Sequence, residues 1–169
     1  MMIYITHEGK KVLLTLTDEQ IQEILTQTQK PKTGWERVEE GESYWAYNGK
    51  ASVIIGEKNV NYDDDRFSHA NYFSDDSFAQ DIIRAQELQR KLWRRSAELC
   101  EKVDWNDNRC SKFSIYYDCD RQLLFVQALY MINGFGHVYF DTKEHAKQVM
   151  DEFHDELIWY FTEFKSRMD

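Results

Sequence analysis

Asn71-Tyr72-Phe73-Ser74-Asp75-Asp76-Ser77-Phe78-Ala79 returns further along the chain as Val138-Tyr139-Phe140-Asp141-Thr142-Lys143-Glu144-His145-Ala146. Tyr-Phe falls on Tyr-Phe, Ala79 on Ala146, and Ile82-Ile83 on Val149-Met150. A residue able to cap a helix follows each pair, Ser74 in one copy and Asp141 in the other, with Ser77 and Glu144 three positions on. Tyrosine and phenylalanine can end a strand and pack beneath the first turn of a helix as a hydrophobic staple does. The capping oxygen then satisfies N–H groups that a helix start leaves open. A small alanine lets the helix approach the sheet. The spacing therefore predicts a duplicated unit: hairpin, Tyr-Phe, long helix.

Upstream of the first copy, residues 43–47 and 50–55 are rich in β-formers and flank Asn48-Gly49. Such a pair between two β-runs predicts a tight hairpin, because both turn positions take positive φ. Residues 57–69 are polar and acidic and read as a loop. Downstream, Phe78, Ile82, Ala85, Leu88, Leu92 and Leu99 mark one face of a helix over about 75–101. The second copy follows suit, with strands at 113–117 and 122–131 about a turn at Asp118-Cys119-Asp120-Arg121. Its helix runs over about 142–165, with Ala146, Val149, Met150, Phe153, Leu157, Phe161 and Phe164 at helical spacing. Two such units most simply share one antiparallel sheet, with both long helices packed on one face, in the α+β class.

Ahead of the copies, residues 3–6 and 11–16 form a further predicted hairpin around Gly9. Thr17-Asp18-Glu19-Gln20 is a capping box that opens a short helix to about residue 29. Residues 29–34 hold the only proline and no apolar side chain. The expected organisation is an N-terminal hairpin-helix extension, 1–30, and a main α+β domain, 31–169, with repeats at about 35–101 and 112–165.

The net charge of the 169 residues is −9, which disfavours generic binding to phosphate backbones. The N-terminal residues lack the basic start and apolar stretch of a signal peptide, and no apolar run is long enough to span a bilayer. Cys100, Cys110 and Cys119 have no C-x-x-C spacing and read as free thiols of a reducing cytoplasm. No P-loop, G-x-G-x-x-G, G-x-S-x-G or H-E-x-x-H occurs. Asp141 and His145 stand at i, i+4, but one carboxylate and one imidazole do not make a site. The expectation is a non-enzymatic protein with no cofactor and no metal. A hydrolase assembled from scattered Asp, Glu and His stays open.

Two charged features remain. Asp63-Asp64-Asp65, with Asp75 and Asp76, is an acidic run lacking the alternation, glycine and distal glutamate of a calcium loop. It is the candidate partner-binding surface. Arg84, Arg90, Lys91, Arg94 and Arg95 give residues 84–95 a net charge of +4, with Trp93 among them. This basic helix is the alternative contact, for nucleic acid or for a second copy, with Trp93 or Trp105 stacking on bases. Residues 36–76 carry a net −6. Charge segregated in this way suits a homodimer or a charged partner.

The set Trp35-x-Arg37-Val38-x-x-Gly41-Glu42-x-Tyr44, Asn71-Tyr72-Phe73, Asp104-Trp105-Asn106-Asp107, Tyr116-Tyr117-Asp118 and Val138-Tyr139-Phe140 resembles a group of uncharacterised accessory proteins of phages and integrative elements in low-GC Gram-positive bacteria. The resemblance covers about residues 31–161. It implies a genomic setting and transfers no catalytic residue. Small acidic proteins of such elements are often inhibitors of host defence, anti-CRISPR proteins among them. The functional expectation is an acidic protein-interaction module of mobile-element origin. It would act in the bacterial cytoplasm, blocking a host nucleic-acid-handling protein such as a CRISPR effector. The alternative is a nucleic-acid-binding accessory protein that uses helix 84–95.

Overall fold

Each Tyr-Phe pair ends against the first strand of the hairpin before it. In the first segment β3 (Ser43–Tyr47) pairs antiparallel with β4 (Ser52–Gly56), and Phe73 exchanges two backbone hydrogen bonds with Trp45, at 2.9 and 2.8 Å. In the second, β5 (Lys112–Asp118) pairs with β6 (Leu123–Leu129), and Phe140 does the same with Phe113, at 2.8 and 2.9 Å. The structure, a computed structural model, describes residues 2–7, 10–21, 32–101, 106–107, 110–130 and 132–168. The chain divides into two units, Met1–Thr33 and Gly34–Asp169.

In the first unit β1 (Met2–His7) pairs antiparallel with β2 (Lys10–Thr15). Thr17 opens a helical turn over residues 18–21, and its capping box is formed. The Gln20 N–H donates to Thr17 Oγ1 at 3.3 Å and the Thr17 N–H to Gln20 Oε1 at 3.1 Å. The turn at Gly9 and the helix over 22–29 lie outside the described residues.

The second unit is mixed α+β. Its helices are α1 (Asn61–Ser68), α2 (Asp76–Leu99), α3 (Lys143–Glu152) and α4 (His154–Trp159), followed by a π-helical stretch (Tyr160–Phe164) and α5 (Lys165–Met168). Among the described residues no helix is long and apolar enough to cross a membrane.

Several expectations need correction. Among the described residues, the β3–β4 and β5–β6 hairpins do not join into one sheet: each is a separate two-stranded ladder extended by a single phenylalanine rung. Helix lies between the halves. The N-terminal part of α2 (Phe78, Ala79, Ile82, Ala85) packs with Phe73, Trp159 and Phe164. Its later part (Leu88, Leu92) packs with Val138, Phe140, Ala146, Val149, Phe153 and Leu157. α2 thus runs through both apolar clusters, and the C-terminal helices return to the first. Burying aromatic side chains under helices needs no continuous ladder.

The caps sit one residue later than read, in both segments alike. Asp75 Oδ1 accepts the Phe78 N–H at 2.7 Å, and Thr142 Oγ1 accepts the His145 N–H at 3.1 Å. Ser74 is used otherwise, donating its N–H to the Gly34 carbonyl at 2.9 Å. Gly34 has φ +95°, and a Cβ there would overlap the Phe78 ring, so glycine meets both a backbone and a packing demand.

The Asn48-Gly49 connection is a four-residue loop. Tyr47 pairs with Ser52, and Asn48 Oδ1 accepts the N–H groups of Lys50 and Ala51 at 3.0 and 3.2 Å. Only Gly49 of the pair has positive φ. The last helix is not continuous. It breaks at Phe153 (φ −112°, ψ 24°) and widens at 160–164. The i→i+5 turn puts Trp159 and Phe164 on one face, ring centroids 5.6 Å apart.

Candidate functional site

Residues 57–69, read as a loop, contain α1, whose sequence Asn-Tyr-Asp-Asp-Asp-Arg-Phe-Ser has little helix propensity. Asp63 makes the helix possible. Its carboxylate, three residues into the helix, accepts the N–H groups of Lys58 and Val60 at 3.1 and 3.3 Å and the Tyr44 hydroxyl at 2.7 Å. A negative charge at this end also suits the helix dipole. Beside it, Glu57 accepts the Tyr72 hydroxyl at 2.6 Å, the Asn59 N–H at 2.7 Å and the Arg37 guanidinium at 3.2 Å. Arg66 donates to the Tyr44 hydroxyl at 2.8 Å.

Glu57 and Asp63 are each 2 % exposed. Burial pushes Glu57 up, but Tyr72, Arg37 and the Asn59 N–H together outweigh it and hold the carboxyl below its ordinary value. Tyr44 is the main reason that Asp63 is held low, against burial. Tyr72 is raised in turn, first by burial and then by its bond to Glu57. This is a satisfied structural network, and the buried Asp63 carboxylate is committed to hydrogen bonds within it.

Above the network lies an open concavity of about 380 Å³ lined by Ile55, Val60, Tyr62, Asp63 and Arg66 among others. Tyr62 is 74 % exposed and Val60 is exposed too, while the exposed Ile54 lies on the opposite face of β4 from Ile55. Exposed acids stand close by. Asp64 pairs with Arg37 at 2.5 Å, and Asp65 is exposed. The turn carrying exposed Glu39, Glu40 and Glu42 is tied to this end of β4, the Gly41 N–H donating to the Glu57 carbonyl at 3.0 Å and the Glu57 N–H to the Glu42 carbonyl at 2.8 Å.

Asp75 and Asp76 belong elsewhere. Asp76 accepts the Ser52 hydroxyl at 2.8 Å, at the opposite end of β4 from Glu57 and so roughly 15 Å away along the strand. Asp75 caps α2 and pairs with Arg167 at 2.9 Å. The acidic run read as one surface is therefore split, with one member buried and two at the other end of the strand.

The basic helix is largely engaged within the chain. Lys91 pairs with Glu87 and Glu156 at 3.1 and 3.4 Å, and Arg95 with Glu98 and Glu152 at 2.6 and 2.9 Å. Arg94 lies 3.8 Å from Glu98, and the Arg84 guanidinium stacks 3.7 Å over the Trp159 ring. Arg90 and Trp93 are exposed. Trp105 lies outside the described residues.

One cluster escaped the sequence reading. Cys100, Asp141 and His145 each offer a donor atom within 4.8 Å of the others, all three half-buried. Cys100 caps the C-terminus of α2, and its N–H donates to the Ser96 carbonyl at 2.9 Å. Asp141 follows the Phe140 rung, its Oδ2 accepts the Glu101 N–H at 3.0 Å, and its Oδ1 lies 2.7 Å from His145 Nδ1. Burial pushes the Cys100 thiol up and works the same way on Asp141. In Asp141 the bonds from His145, Glu101 and Cys100 outweigh burial and hold the carboxyl low. The i, i+4 spacing of Asp141 and His145 was the legible half. Cys100 arrives from the far end of another helix, which no local pattern announces.

No protein-family model, no curated protein and no solved structure matches this chain.

Proposed function

We propose that this chain is a protein-interaction module that docks through the concavity between β4 and α1, and that its partner is a host nucleic-acid-handling protein with a Lys/Arg-lined groove. The exposed Tyr62 ring carries the reading. A large aromatic at a mainly apolar concavity, with Val60 exposed beside it and acids around, has the anatomy of a hot spot with a polar rim. Asp64, Asp65, Glu39, Glu40 and Glu42 would steer it to a basic surface. The resemblance to phage and integrative-element proteins supplies the setting, in which the target is a defence nuclease of the CRISPR class. The likeness of the two Tyr-Phe segments fits an origin by duplication, with α1 belonging to one copy alone.

The test is displacement. A guide-loaded CRISPR effector from a low-GC Gram-positive host is held with fluorescent target DNA, and the purified chain is titrated in. DNA is expected to be released, less readily as salt rises. Tyr62→Ala should weaken release by about tenfold or more, the loss expected of a hot-spot aromatic. Asp64→Asn with Asp65→Asn should flatten the salt dependence. Unchanged displacement by Tyr62→Ala would reject the docking face.

Direct nucleic-acid binding by helix 84–95 has weaker support, because phosphates would have to compete with Glu87, Glu98, Glu152 and Glu156 for its cations. A gel shift at low salt, where phosphate contacts are strongest, would favour it.

A further inference from the structure

We infer that Cys100, Asp141 and His145 form a binding site for a zinc-class divalent cation that ties the end of α2 to the start of α3. The donor set selects the metal. A sulfur, an imidazole nitrogen and a carboxylate oxygen suit Zn²⁺ and its spectroscopic stand-in Co²⁺, whereas Mg²⁺ and Ca²⁺ call for oxygen alone. Three protein ligands leave a fourth tetrahedral position for water or an exogenous ligand.

The donors are placed by backbone rather than by side-chain chance. Cys100 is fixed by the α2 C-terminus, Asp141 by the Phe140–Phe113 rung, and His145 by the Thr142 cap. The Glu101 N–H on Asp141 Oδ2 leaves Oδ1 for the metal, an outer contact of the kind that orients a ligating carboxylate. His145 presents Nδ1 to the same point, 2.7 Å from Asp141 Oδ1. With metal–nitrogen and metal–oxygen bonds near 2.0–2.1 Å, a tetrahedral edge is roughly 3.3 Å, so the pair opens by about half an ångström as the cation replaces the proton between them. The thiol proton leaves to solvent as Cys100 becomes the thiolate ligand. No residue of this site is shared with the docking face.

The experiment titrates Co²⁺, then Zn²⁺, into the chain carrying Cys110→Ser and Cys119→Ser, which removes the two exposed thiols. The expected result is one cation per chain, with a thiolate-to-cobalt charge-transfer band and tetrahedral ligand-field absorption that Zn²⁺ abolishes. Adding Cys100→Ser should remove the charge-transfer band. His145→Gln or Asp141→Asn should weaken binding by at least about 100-fold, the upper end of what loss of a mere outer contact costs. Far-ultraviolet circular dichroism of each variant establishes that it is folded. Zn²⁺ should also raise the melting temperature of the starting chain and not that of a folded Cys100→Ser variant. Absence of the charge-transfer band in the starting chain would overturn the site. So would a band that survives Cys100→Ser, or affinity unchanged by both His145→Gln and Asp141→Asn, which would mean a lone thiol.

Discussion

At the first junction Tyr72 lies flat on Tyr44, ring centroids 3.8 Å apart, and donates to the buried Glu57; at the second, Tyr139 is half-buried and its hydroxyl accepts the Gly134 N–H at 2.6 Å. The phenylalanines beside them behave alike. Each gives one antiparallel rung to the first strand of its hairpin, and each is buried. The difference lies in the segment between hairpin and Tyr-Phe pair. Residues 57–70 fold α1 over the Tyr72 side, while residues 132–137 supply a loop without a helix.

A second contrast sits one residue on. Ser74 and Asp141 both receive the chain that leads into their hairpin, Ser74 through Gly34 and Glu36 and Asp141 through the Glu101 N–H. The space behind Ser74 is filled by Phe78 against Trp35, ring centroids 5.2 Å apart. The corresponding space behind Asp141 holds His145 and Cys100. One junction is closed with aromatics and the other with ligating groups. A shared backbone device has thus been given two chemistries, and both proposals grow from that divergence.

The sharpest way to break the comparison is at the phenylalanines. Phe73→Ala and Phe140→Ala should each cost about 3–5 kcal/mol in denaturant unfolding, as large aromatic truncations in a core do. Costs that differ by more than about 2 kcal/mol would mean that the two rungs are not equivalent.

The tyrosines should separate where the phenylalanines agree. Tyr72→Phe leaves Glu57 buried with one donor fewer and should cost about 1–3 kcal/mol. Tyr139→Phe removes an ordinary hydrogen bond and should cost about 0.5–1.5 kcal/mol. A reversed order would erase the contrast between the two tyrosines.

Acid should weaken the first junction through Glu57 and Asp63. Their folded values lie below their unfolded ones, so the unfolded chain takes up protons first as pH falls. The stability they contribute is full above about pH 5 and is lost as pH drops through the folded values. Asp63→Asn should be less stable than the parent at pH 7 and should lose less on going to about pH 3.5, read as urea midpoints. Parallel losses in parent and variant would contradict the role given to these carboxylates.

The smallest effects are at the caps. Asp75→Ala and Thr142→Ala should each cost about 1 kcal/mol, with Asp75 the larger because it also holds Arg167. A thermal melt in which Ser74→Ala costs more than Asp75→Ala would put the first cap back where the sequence pattern alone suggested.

Much of the architecture was legible in local patterns. Phe78, Ile82, Ala85, Leu88 and Leu92 are buried on α2 as their spacing requires, and Ala146, Val149, Phe153 and Leu157 are buried along the segment of α3 and α4. The hairpins pair antiparallel as their composition requires. These features depend on periods of 2 and 3.6 residues, which a chain displays without reference to its neighbours in space. The capping box at Thr17 is local in the same sense.

Tertiary structure decided the rest. α1 exists because Tyr44, from a distant strand, satisfies a carboxylate that would otherwise be a solvated charge in an acidic loop. Lys91 and Arg95 of the basic helix are paired with Glu156 and Glu152 of later helices, and the acidic run is divided by the length of β4. Cys100 meets Asp141 and His145 only because the Phe140 rung brings the start of α3 to the end of α2. Periodicity is written within a segment, but the worth of a charge, a thiol or an imidazole depends on which groups fold against it, and those are set by long-range packing.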